Sequence, residues 1–230
     1  MTTPPPDPSR RTFMQGLAGA AALTSTTLPV NAARSASEPA YSPTFFTPAE
    51  WAFLHAACDR LIPEDAVGPG AIALGVPEFI DRQMATPYAF GKLWYMQAPF
   101  VQGPANLGYQ LPYAPRDIYR KGIAGAAAFV QAKYGKAFQD LDAATRDEVL
   151  TGLEKGDALF GDLPAKVFFA QLLGNTMEGA FADPSHGGNK GLGGWTTIGF
   201  PGARADFMDW VDQYGKQYPL GTVSISGETA

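Results

Sequence analysis

The chain has 230 residues, with 17 lysines and arginines against 22 aspartates and glutamates, a formal net charge of −5 and one cysteine. That balance leaves no basic surplus to neutralise phosphates and no stripe of Lys and Arg, which excludes nucleic acid as a partner. The length suits one domain with a sizeable core, while a single cysteine excludes an internal disulfide, so stability has to come from burial or from a partner.

In chain order, the first feature is Ser9 Arg10 Arg11 Thr12 Phe13 Met14 Gln15, followed by a mild apolar stretch to Val30. The pattern matches a twin-arginine export signal carried by Arg10, Arg11 and Phe13, and that route moves folded proteins. The expected partner is the twin-arginine translocase and the expected destination the periplasm. Gln15, Gly16, Gly19 and several threonines interrupt the apolar stretch, which makes it a poor spanning helix, since spanning takes about 20 strongly apolar residues. Val30 Asn31 Ala32 places a cleavage site near Ala33; an uncleaved amphipathic N-terminus is the alternative. Losing residues 1–32 removes Arg10, Arg11 and Asp7 and takes the charge of −5 one unit lower, to about −6. Residues 33–46 read as a linker.

Thr47 Pro48 Ala49 Glu50 reads as a capping box opening a helix, with Trp51, Leu54, Cys58, Leu61 and Ile62 on its buried face until Pro63. Cys58 on that face reads as a core thiol, with a bridge to another subunit as the alternative. A shorter helix is expected over Pro77 to Met84. From Tyr88 to Arg116 the periodicity dissolves into prolines and aromatics, among them Trp94, Tyr95, Phe100 and Tyr109. Long irregular segments in compact domains are uncommon and usually functional or partner-bound, and these aromatics argue against plain disorder. Helical spacing returns from Asp117 to Tyr134 with Gly135 as a stop, again from an Asp142 cap to Gly156, and again after Pro164 through Val167, Phe168, Leu172 and Phe181 to Asp183 Pro184. A last short helix is expected over Ala205 to Tyr214, burying Phe207 and Trp210 or Val211. With no alternating strand run, residues 47–215 read as all-α, an irregular helical domain with long partner-binding loops, and 216–230 as a flexible tail.

Chemistry-bearing motifs are sparse. Gly68 to Ala73 has dinucleotide-loop spacing but follows Pro63 Glu64 Asp65 instead of a hydrophobic strand and reads as a turn, and Gly187 to Gly194 lacks P-loop spacing and a preceding strand and reads as a structural loop. His55, His186 and Cys58 are too few for a conventional zinc site, and one cysteine excludes a cluster or covalent haem held by this chain alone. No catalytic, cofactor-binding or metal residue is therefore assigned. The rival is a stand-alone periplasmic hydrolase or isomerase using His186 and Asp183, although no nucleophile elbow accompanies them. A small-molecule binding module is a third reading.

The stretch from Glu178 to Ala203, with Gly187, Gly188, Asn189, Gly193, Gly194 and Trp195, resembles the small subunit of the gluconate 2-dehydrogenase family, including the corresponding subunits of fructose, glucose and sorbitol dehydrogenases. Asp59 to Pro63, Gly68 to Ala71, Phe79 to Gln83, Gly108 to Pro112 and Ile118 to Arg120 resemble it in the same order, so the likeness covers most of the mature chain. Where relatives often carry an arginine and then an acidic residue, this chain has Lys190 Gly191 Leu192, and no specific polar contact is assigned there. The resemblance implies a non-catalytic subunit of a membrane-associated complex. In such a complex a large FAD-containing subunit oxidises a polyol, sugar or sugar acid, and a multihaem cytochrome c passes electrons to quinone at the inner membrane. The small subunit supports folding, assembly and export. FAD and haem c then belong to the partners, and this chain binds neither. Flexible glycines beside Trp195, Ile198 and Phe200 suit close approach to another surface, with Asn189 and Trp195 able to fix the loop to main chain. The alternative is that these aromatics fold back onto the helices.

Overall fold

The computed structural model describes residues 41–157 and 159–230, and these form a mostly helical unit. Arg10, Arg11, Phe13 and the cleavage site near Ala33 lie outside the described residues.

Helix α1 (Pro48–Leu61) begins with the expected reciprocal cap: the Glu50 amide donates to Thr47 Oγ1, and the Thr47 amide donates to the Glu50 carboxylate at 2.8 Å. Its buried face is rotated from the expected one, because Phe53, Leu54, Ala57 and Cys58 point inward while Trp51, Leu61 and Ile62 are half-buried. Trp51 instead packs its ring between Tyr41 and His55 at the helix edge.

Helix α2 (Val76–Gln83) buries Val76, Phe79 and Ile80 and also Asp81. A fully buried carboxylate has to be hydrogen-bonded, and Asp81 accepts five hydrogen bonds, from the Tyr41 hydroxyl, the Thr44 amide and hydroxyl, and the Phe45 and Phe46 amides. Residues 41–46, the end of the stretch expected to be linker, are thereby bound to α2, with Phe46 in the core.

Helix α3 (Pro115–Tyr134) starts two residues before its expected first position, because Pro115 fits the first turn and Asp117 accepts from the Ala114 amide. Asp142 caps α4 (Ala143–Lys155) by accepting from the Thr145 amide at 2.9 Å. Both helices end at left-handed glycines, Gly135 and Gly156. A hairpin absent from the sequence reading follows: β1 (Leu159–Phe160) pairs antiparallel with β2 (Leu163–Pro164). Two-residue strands are too short to leave an alternating signature.

Helix α5 (Ala165–Phe181) is the element around which the rest is arranged, packing on α2, α3 and α4 through Phe168, Phe169, Leu172, Thr176 and Ala180. The chain then passes through the glycine-rich loop into α6 (Gly193–Ile198). The helix expected over 205–214 reduces to one 3-10 turn (Phe207–Trp210), and Val211 is exposed. Met208 faces outward as well, and short helices need tertiary packing to persist. The tail expected to be loose folds back: Val223 bridges Gly202 and Thr229, and Thr222 and Ser224 are buried.

Candidate functional site

The glycine-rich loop is built on the C-terminal end of α5. The last carbonyls of any α-helix lack intrahelical partners and must be satisfied from outside. Here the Asn189 amide donates to Gly179 O at 2.9 Å, Asn189 Nδ2 to Ala182 O at 2.9 Å, and the Trp195 indole N–H to Phe181 O at 2.6 Å. Asn189 Oδ1 in turn accepts from the Gly194 amide at 2.8 Å, closing the loop on itself. Such backbone proximity demands glycine at two positions, since a Cβ on Gly188 would run into Gly179 O and one on Gly194 into Ala180 O.

Of the loop residues read as partner-binding, Gly188, Asn189 and Trp195 are thus occupied inside the chain, with Asn189 0 % and Trp195 6 % exposed. Gly187 is partly covered by Arg82. Ile198 at 59 % and Phe200 at 41 % do face outward, the Phe200 ring lying edge-on to Trp195 at 5.1 Å. Lys190, to which no polar contact was assigned, has one: its Nζ lies 2.5 Å from Glu78 Oε2, and Arg82 holds the other carboxylate oxygen. Burial pushes the Glu78 carboxyl up, but the two cations outweigh it and hold it below the usual range.

The aromatic segment lies along the side of the same helix, between Lys166 and Glu178. Trp94 is half-buried between Tyr88, 6.1 Å away edge-on, and Tyr109, 5.0 Å away, whose hydroxyl donates to Tyr113 O at 2.6 Å. Tyr95 is 84 % exposed, and Phe90, Leu93, Phe100, Val101 and Leu107 are also exposed. Between this segment and α5 runs a groove of about 660 Å3 whose lining includes Tyr88, Trp94, Tyr109, Gln171, Asn175 and Glu178.

A polar network forms one side of that groove. Buried Asn175 accepts at Oδ1 from the Tyr119 hydroxyl at 3.1 Å and from Gln171 at 2.7 Å, while its Nδ2 donates to the Tyr88 hydroxyl at 3.0 Å and to Glu178 at 2.7 Å. Burial pushes the Tyr88 and Tyr119 hydroxyls above their ordinary range, so both stay protonated. Sequence reasoning missed Gln171, Asn175 and Glu178. The available signal was an amide at Asn175 amid the inward-facing residues of an otherwise apolar helix.

The rival catalytic pair does not assemble as one. Asp183 accepts from the Ser185 amide at 3.0 Å through one oxygen and from the Ile225 amide at 2.8 Å through the other, which makes it a turn cap that also ties down the tail. His186 is exposed at the end of that turn. His55 packs against Trp51, and burial lowers its pKa. Cys58 is fully buried beside Thr176 Oγ1, 3.6 Å away, so a bridge to another subunit would require the core to open. Gly68 to Ala73 form the turn that leads into α2. Among the described residues no group of three or more His, Cys, Asp or Glu is placed to hold a metal ion, and no helix is long and apolar enough to cross a membrane. The arrangement is suited to binding along α5 and at the Ile198 and Phe200 edge.

The family model described as gluconate 2-dehydrogenase subunit 3 matches residues 48–202, from the first residue of α1 to the glycine that meets the returning tail. No curated protein and no solved structure matches the chain.

Proposed function

We propose, from the premise that this chain belongs to the gluconate 2-dehydrogenase subunit 3 family, that it is the non-catalytic escort of a larger FAD-containing dehydrogenase subunit. As a small subunit of a dehydrogenase complex it has partners by definition; the finer assignment concerns what it does for them. In this reading the escort binds the flavoprotein and supplies the twin-arginine signal at Arg10 and Arg11. It thereby delivers a folded sugar, polyol or sugar-acid dehydrogenase to the periplasm, where a multihaem cytochrome c subunit connects it to the inner membrane. The flavin and haem sit on those partners.

The observation that supports this most is the exposure of Phe90, Leu93, Tyr95, Phe100, Val101 and Leu107 within one segment, packed beside an open groove. Large apolar side chains concentrated in that way mark a surface completed by another molecule. Co-expression with the larger subunit tests the proposal: flavin absorbance should co-purify with this chain and appear in the periplasmic fraction. Changing Arg10 and Arg11 together to lysine should strand that activity in the cytoplasm. Normal periplasmic activity in the double variant would overturn the export role, and substrate turnover by this chain alone, without flavin, would favour the His186 and Asp183 hydrolase instead.

A further inference from the structure

We infer that the groove along α5 receives an extended segment of the larger dehydrogenase subunit, with a cationic side chain of that segment seated on Glu178. This rests on the escort reading above and names the site and chemistry of the contact.

Lys166, Ala170, Gly174 and Glu178 follow one another at four-residue spacing, all exposed and all lining the groove. Residues so spaced form a continuous ridge on a helix. Charges stand at its two ends and small residues between them. At 1.5 Å per residue, Lys166 and Glu178 are separated by about 18 Å along the axis, the reach of five or six extended residues at about 3.3 Å each. Trp94 and Tyr109 wall the groove on the side away from the helix. Among the described residues nothing outside the helix's own backbone lies within 4 Å of where a Gly174 Cβ would stand, so this glycine answers no packing need there, and a mid-helix glycine is otherwise unfavourable.

The charge at the end of the ridge selects the occupant. Glu178 is held in place by the buried Asn175 amide, itself fixed by Tyr119 and Gln171, so the carboxylate is oriented before any partner arrives. Among the described residues no ion pair reaches it, whereas Glu78 on α2 is matched by both Lys190 and Arg82. Beyond Glu178 a second groove, of about 420 Å3, is lined by Phe79, Phe181 and Ala182 together with Gln83 and His186. An oriented carboxylate with no ion pair, set between two grooves that each carry aromatic walls, complements an arginine or lysine with apolar neighbours.

The test is co-purification of the flavoprotein with full-length variants of this chain, read by flavin absorbance. Gly174→Leu has room to fold and removes a helix-weakening glycine, so its melting temperature should equal or exceed that of the parent, yet flavoprotein recovery should fall at least about tenfold. Glu178→Gln keeps an oxygen for Asn175 and loses the charge; affinity should drop about tenfold at low salt, with the difference shrinking at high salt. Glu178→Lys should abolish recovery. If Gly174→Leu and Glu178→Lys both recover the flavoprotein as the parent does, the inference falls and the escort reading survives. If the parent chain itself recovers none, the escort reading fails and this inference fails with it.

Discussion

Trp195 donates its indole N–H to the carbonyl of Phe181 at 2.6 Å, so the largest side chain of the glycine-rich loop completes the end of α5. Placed there, it contributes through burial and one hydrogen bond. Trp195→Phe should keep most of the packing and cost about 1–3 kcal/mol by leaving Phe181 O unmatched, while Trp195→Ala should cost about 3–5 kcal/mol. Urea unfolding of the purified chain checks both. An unchanged midpoint with lost partner binding would place Trp195 at the interface instead.

Two glycine substitutions should act in opposite directions. Gly188→Ala forces a methyl group into the Gly179 carbonyl and should destabilise the chain by at least about 2 kcal/mol. Gly174→Ala meets open space and should stabilise it by roughly 0.5–1 kcal/mol. Thermal melts of the pair decide whether the loop is pressed against α5 as closely as described.

Asp81 makes stability acid-sensitive. Burial pushes its pKa up, but the Thr44 and Phe46 amides, the Tyr41 hydroxyl and the Phe45 amide together hold the folded value below the ordinary 3.8. A carboxyl depressed on folding contributes stability that is fully present above its ordinary value and is lost as pH falls through the folded one. The parent should therefore lose stability on acidification below about pH 4. Asp81→Asn should be weaker at neutral pH by about 2–3 kcal/mol and lack this component of the acid response. Urea midpoints measured across that range for both proteins check the sign.

Asn175 links two tyrosines and a glutamate to α5. Asn175→Ala strands the buried Tyr119 hydroxyl and leaves the Tyr88 hydroxyl with Gln171 alone, and should cost about 2–3 kcal/mol. Because Tyr88 begins the aromatic segment, amide hydrogen exchange over 88–113 should rise more than over α4. Uniform protection in the variant would show that the segment is held by other contacts.

Cys58 should be inert in the folded chain. It is fully buried, and burial pushes its thiol up to about 12. The thiolate is the reactive form, so iodoacetamide at neutral pH should label Cys58 only in denaturant. Rapid labelling of the native protein would mean that α1 opens readily from α5.

The helices were legible where local chemistry decides them: the Thr47 and Glu50 box, the Asp142 cap, and Gly135 and Gly156 at helix ends all work as their residue types require. The hairpin was not legible, because two-residue strands carry no period. The helix expected over 205–214 shortened to one turn for the complementary reason, since Met208 and Val211 face outward and do not pack it against the body. At the site, the sequence singled out the aromatics and the glycine-rich loop and marked Asn189 and Trp195 as able to fix that loop to main chain, which they do at the end of α5, but it could not say that this leaves them buried while Ile198 and Phe200 face outward.

By itself the sequence determined a predominantly helical chain, its kinship and the helix ends that carry a cap or a glycine stop, because caps, glycine stops and apolar spacing act within a few residues. The tertiary structure alone decided what those segments do for one another. That the loop closes α5, that residues 41–46 are gathered onto Asp81, and that Glu178 stands oriented with no ion pair among the described residues all depend on groups far apart in the chain. Their partners are chosen by which buried polar atoms would otherwise go unmatched, a condition that exists only once the helices have packed.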